Sequence, residues 1–182
     1  MEIRQRLPGG VLLLQPEGRE DPRGRMTVLS PEEIRKAVPG FEMKEQRIYS
    51  MPETGTFFGI HYQADPYPQA KLISVLRGKG LDYAVDLREG SDTFGQWTVL
   101  ELNGEEGLAV YIPAGFGHAF LSLVPDTVQF FAADEHFVKG YAGSISWKDP
   151  DIGLKLPLEN LILSEKDRQA PFLRDLNRNR KD

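Results

Sequence analysis

Leu81-Asp-Tyr-Ala-Val-Asp-Leu-Arg88 sets Leu81, Tyr83, Val85 and Leu87 on one side of an extended chain and Asp82, Ala84, Asp86 and Arg88 on the other. A period of two over eight residues is the signature of a β-strand. Further on, Val99-Leu-Glu-Leu102 runs into Asn103-Gly-Glu-Glu-Gly107, after which Leu108, Val110 and Ile112 resume the alternation. An Asn-Gly turn between two alternating runs predicts a β-hairpin. Outward from there, residues 11–15, 43–50, 57–63, 70–77, 117–124 and 127–133 read as further strands, punctuated by 18 Gly and 13 Pro. Eight or more antiparallel strands in a chain of this length predict an all-β fold, a double-sheet jelly roll whose open mouth admits a small ligand.

Helix signals are few. Ser30-Pro-Glu-Glu33 has the form of a capping box with Pro at the first helical position, and predicts a short helix over 31–38. Ser164-Glu-Lys-Asp167 has a similar cap and predicts a helical turn. Residues 1–173 read as a single domain, and the polar run from Arg174 to Asp182 as a frayed tail.

The 182 residues carry 22 Lys plus Arg against 27 Asp plus Glu, a net charge of -5, so no basic stripe offers itself to nucleic acid. The absence of Cys excludes disulfides, thiolate nucleophiles and Cys-ligated metals. No apolar run approaches the ~18 residues of a membrane span, and the N-terminus lacks a secretory h-region, which predicts a cytoplasmic protein without a membrane partner.

Chemistry must come from few residues. The histidines are His61, His118 and His136, and the pairing of two imidazoles one residue apart that marks jelly-roll metal sites is replaced by His61-Tyr-Gln63. Neither a metal nor a cofactor is therefore expected. His136 sits in a loop-like stretch and reads as structural; for His118 a structural and a functional role stand level. His61 shares a strand face with Gly59 and Gln63, while Lys71 shares one with Ile73 and Val75, either turned outward or lining a wet cavity. An imidazole near an ammonium suits proton removal beside a carbonyl. The imidazole titrates near working pH and acts as base. The ammonium holds the enolate oxygen that develops, and a carboxylate on the second ring nitrogen would fix the tautomer. Spacing does not identify that carboxylate.

From about residue 10 to 173 the chain resembles the dTDP-4-dehydrorhamnose 3,5-epimerase family. The blocks that carry the resemblance are Asp21-Pro-Arg-Gly24, Gly59-Ile-His-Tyr-Gln63, Gln69-Ala-Lys-Leu72, Val75-Leu-Arg-Gly78, Ala84-Val-Asp-Leu-Arg88, Thr93-Phe-Gly-Gln-Trp97, Ile112-Pro-Ala-Gly-Phe-Gly-His-Ala-Phe120, Trp147-Lys-Asp-Pro-Asp151 and Ile162-Leu-Ser-Glu-Lys-Asp-Arg-Gln-Ala-Pro171, all in one order. The resemblance implies a cupin-type jelly roll that forms homodimers by exchanging N-terminal strands. It also implies metal-free epimerisation of nucleotide-linked 4-keto-6-deoxy sugars. By that resemblance His61 is the catalytic base, Asp167 its carboxylate partner and Lys71 the cation at the ketone oxygen. His118 is a second imidazole of the substrate pocket, and Arg23 and Gln46 contact the nucleotide diphosphate.

The chain departs from the family pattern at the acid. Where the family carries a Tyr that returns the proton from the opposite face, Gln129-Phe-Phe-Ala-Ala133 places Phe131. Phe58, Ile48 and Val28 stand where the family has Arg, Asn and Glu. Two readings follow: an epimerase or isomerase with an altered or single-site outcome, or a sugar-nucleotide binding paralogue without turnover.

Overall fold

The structure, a computed structural model, describes residues 1–176. Among these, thirteen strands run β1 (Glu2–Arg6), β2 (Leu12–Gln15), β3 (Glu17–Asp21), β4 (Gly24–Val28), β5 (Glu45–Met51), β6 (Phe57–Gln63), β7 (Lys71–Arg77), β8 (Lys79–Asp86), β9 (Trp97–Asn103), β10 (Ala109–Ile112), β11 (Phe116–Ser122), β12 (Thr127–Ala133) and β13 (Ala142–Ser144). Among the same residues are three short α-helices, α1 (Pro31–Ala37), α2 (Glu165–Arg168) and α3 (Leu173–Leu176).

Two sheets stack face to face as a jelly roll, one in the order β1-β2-β10-β7-β12-β5 and the other β13-β6-β11-β8-β9. Between them lies an apolar layer that includes Ile73, Val75, Leu102, Val110, Phe116 and Phe120. The outer faces are covered too. Ile34, Val38 and Phe41, on and just after α1, close over Leu14, Leu72 and Ala132, and Ile145, Ile152 and Leu154 from the C-terminal segment close over Phe57, Tyr83 and Leu121. Strands covered on both faces need no alternation, which is why Lys71–Val75 is buried at every position.

The period of two in 81–88 is real, with a consequence the sequence left open. Tyr83 and Val85 pack under the C-terminal cover, so the alternate set, Asp82, Ala84 and Asp86, faces the interior between the sheets, where both carboxylates are buried. Asp86 is satisfied by Arg88, Ser91 and Thr93. Burial raises its pKa, but these bonds outweigh it and hold the carboxyl well below the usual range.

Three expectations are corrected. Residues 99–112 are not a hairpin: β9 bonds to β8, whereas β10 bonds to β2 and β7 in the other sheet. Asn103 does cap a turn by accepting from the Glu106 N–H at 2.8 Å. Turn chemistry fixes where the chain reverses, not which sheet it enters next. Ser30 makes no side-chain cap on α1; Glu33, its supposed partner, instead bonds the N-terminal ammonium and Lys36. Strands β1, β3, β4 and β13 were absent from the strand reading, and β3 and β4 are exposed almost throughout, so no apolar alternation marks them. Of the expected frayed tail, Arg174 to Leu176 belong to α3, and 177–182 lie outside the described residues. No helix among the described residues is long and apolar enough to cross a membrane.

Candidate active site

The antiparallel register of β6 and β11 sets His61 opposite His118, two imidazoles side by side on the wall of a cavity of about 240 Å³ between the sheets. Strand β6 can lie this close to β11 because Gly59 has no side chain. A Cβ there would sit 2.4 Å from the Ala119 Cβ, and the backbone φ of +127° favours glycine besides.

His61 Nε2 lies 2.6 Å from Asp167 Oδ1. Asp167 is held by a local device: Ser164 Oγ accepts from its backbone N–H at 3.1 Å and donates to Oδ2 at 2.9 Å. Burial raises the pKa of this carboxyl, but the His61 bond and charge, the Ser164 hydroxyl and the Gly59 N–H more than offset it, and the net shift is downward. An ionised carboxylate can only accept, so the ring proton resides on Nε2 and Nδ1 keeps its lone pair. Asp167 is buried while the His61 side chain is 39% exposed: the anchor is fixed in the protein and the base opens to the cavity.

Lys71 enters from β7 in the facing sheet, 4% exposed, with its Nζ donating to the Gln69 carbonyl at a long 3.4 Å. Desolvation lowers its pKa to about 8, against the pull of Asp134 and Asp82. The sequence offered two places for this lysine, outward or cavity; it lines the cavity. Asp82 is one of the residues that the sequence did not single out. Its Oδ2 accepts from His118 Nε2 at 2.8 Å, while Oδ1 is buried with no partner among the described residues. Its one sequence signal is its place on the polar side of the alternation over Leu81–Arg88.

The opposite wall belongs to β5 and β12, where register pairs Arg47 with Phe131 and Tyr49 with Gln129. All four line the cavity, together with Phe58. Tyr49 meets Phe58 and Phe131 with ring centroids 5.3 and 6.1 Å away. Gln46 is not brought to this site: the alternation of β5 turns Arg47 and Tyr49 inward and leaves Gln46 exposed on the other face. Nor is Arg23, which sits exposed at the β3–β4 turn, forked onto Asp21 at 3.1 and 2.6 Å. His136 is exposed, and its carbonyl helps anchor the loop over the mouth by accepting from Gln63 Nε2 at 3.0 Å. Among the described residues no three His, Asp or Glu side chains converge as metal ligands would.

A base with a fixed tautomer and a buried cation lining one cavity can remove a proton beside a carbonyl and hold the resulting oxyanion. The comparisons point the same way. The family model described as dTDP-4-dehydrorhamnose 3,5-epimerase matches residues 6–175. The dTDP-4-dehydrorhamnose 3,5-epimerase of Methanothermobacter thermautotrophicus is 39% identical over 170 residues, 91% of each chain. The crystal structure of the Bacillus anthracis dTDP-4-dehydrorhamnose 3,5-epimerase with TDP and pyrophosphate superposes with a TM-score of 0.90 at 31% identity, covering 94% of this chain and 99% of that one. A double mutant of a 3'-monoepimerase from Streptomyces bikiniensis in complex with dTDP, with one His changed to Asn and one Tyr to Phe, gives 0.85 at 34% identity, covering 98% and 88%.

Proposed function

The chain belongs to the dTDP-4-dehydrorhamnose 3,5-epimerase family, and from that premise we propose that it epimerises a dTDP-linked 4-keto-6-deoxy sugar beside the ketone. The observation that carries this reading is the 2.6 Å His61–Asp167 pair and the buried Lys71 lining one cavity. His61 Nδ1 takes the proton alpha to the carbonyl, the electron pair moves onto the ketone oxygen, and the Lys71 ammonium neutralises it. Asp167 stabilises the imidazolium. His118, fixed by Asp82, binds the substrate beside the base.

Phe131 occupies the place of the family's acid. In the Streptomyces bikiniensis variant the replaced Tyr follows the replaced His by the same number of residues as Phe131 follows His61, which supports that placement. Benzyl delivers no proton, so the return from the opposite face needs another donor.

Residues 1–173 act as one unit in this reading, and the enzyme works as a homodimer. Arg23, exposed on a hairpin that does not line its own cavity, meets the diphosphate of the substrate bound by a second copy through a charge-assisted bond. The test is incubation with dTDP-4-dehydro-6-deoxyglucose and assignment of product configuration by NMR. Inversion at carbon 3, carbon 5 or both is expected, and His61→Asn abolishes it. Tight binding with an unchanged sugar would instead establish the non-catalytic paralogue.

A further inference from the structure

The geometry points to Tyr49 as the residue that returns the proton from the face opposite His61. This assignment rests on the epimerase reading and supplies the group that Phe131 lacks.

The cavity has two walls. His61 and His118 stand on the β6–β11 wall; Tyr49, Gln129 and Phe131 stand on the β5–β12 wall. An acid serving the opposite face must come from the second wall. Of the cavity-lining side chains there, Lys71 on neighbouring β7 is engaged by the enolate oxygen, Arg47 keeps its protons at any working pH, and Phe131 has none to give. Tyr49 carries a phenol two residues along from the partner of Phe131 in the β5–β12 register, so the two rings are diagonal neighbours on one face.

Its surroundings suit the task. Arg47 Nη1 donates to the Tyr49 hydroxyl oxygen at 3.3 Å, so the lone pair is engaged while, among the described residues, the O–H donates to no acceptor. The guanidinium is then placed to stabilise the phenolate left after donation. Beside it, the Gln129 amide nitrogen is buried without a partner among the described residues. The step balances: His61 gains the proton taken from carbon, the phenol gives its own to the same carbon, and the enolate electrons return to form the ketone with inverted configuration. Exchange with water then discharges the imidazolium and reprotonates the phenolate.

The experiment runs wild type, Tyr49→Phe and Tyr49→Phe/Phe131→Tyr with dTDP-4-dehydro-6-deoxyglucose in deuterated buffer, following deuterium entry and configuration separately by NMR. Tyr49→Phe keeps the ring contacts, so it is expected to exchange deuterium through His61 while inverting about 100- to 10,000-fold more slowly. The double variant regains inversion. Inversion by Tyr49→Phe at the wild-type rate overturns the assignment and leaves the epimerase reading standing. Loss of exchange together with inversion, unrestored in the double variant, also overturns it, because Tyr49 would then support folding or binding. A wild type that neither exchanges nor inverts overturns the epimerase reading and this assignment with it.

Discussion

Lys71 is where stability and chemistry conflict. Desolvation places its folded pKa at about 8, below the ordinary 10.5. Below pH 8 the folded chain carries a buried cation at a cost; between 8 and 10.5 the unfolded chain binds more protons, so this group makes stability rise with pH there. Turnover runs the other way, since only the ammonium neutralises an enolate, and activity should fall as pH passes about 8. Lys71→Met is therefore expected to raise the melting temperature of the ligand-free protein at pH 7 and to abolish its gain between pH 8 and 10.5. The same change lowers kcat by about 100- to 1,000-fold, the scale of a lost oxyanion donor. A variant that melts lower than wild type, or turns over normally, contradicts this account of the cation. Asp167→Asn presents the wrong hydrogen-bonding group to Nε2 and should cost up to about 10,000-fold in kcat, the scale seen when a triad carboxylate is replaced. At this scale the sequence was partly legible. His61 and Lys71 stood out as rare chemical groups on strands, and resemblance supplied Asp167, more than a hundred positions away. Asp82 and Tyr49 did not stand out, because which face of a strand points inward depends on what covers the other face.

At the scale of elements, the strand pair β6–β11 carries the site, and its closeness depends on Gly59. Gly59→Ala forces a Cβ to within 2.4 Å of Ala119 in a left-handed backbone. Overpacking of this kind costs about 1–3 kcal/mol, a fall of several degrees in melting temperature for a chain of this length. Because the strain lies two residues from His61, kcat should drop further than stability alone explains. Thermal melts and kinetics on the same preparation check both; an unchanged Tm would show that β6 and β11 have room to part. The elements were readable where a strand is half covered or rich in β-formers. Residues 99–112 show the limit: both strands and the turn are present, yet the strands enter different sheets. Pairing across a sandwich is settled by long-range packing, which local alternation does not encode. Strands β3 and β4 left no trace for the opposite reason, since nearly all their side chains are exposed.

At the scale of the molecule, the two stacked sheets enclose a cavity that His61 and Lys71 both line, with Asp167 bonded behind His61; in the proposed reading the three serve one carbon. The exposed β3–β4 hairpin lines no part of that cavity, which fits the proposal that it works on a second copy. Sizing should give about twice the 20.5 kDa of one chain, and a monomer at working concentrations would contradict the dimer. Arg23→Ala is expected to raise KM about 10- to 100-fold, the worth of one charge-assisted bond, with kcat little changed. The most direct test of the whole account is solvent deuterium wash-in at the sugar carbons flanking the ketone, read by NMR for wild type and His61→Asn. Deuterium at carbon 3 or carbon 5 in the wild type, and none in His61→Asn, is the predicted result. A product that keeps its original hydrogens, or a His61→Asn variant that exchanges as fast as wild type, would contradict it.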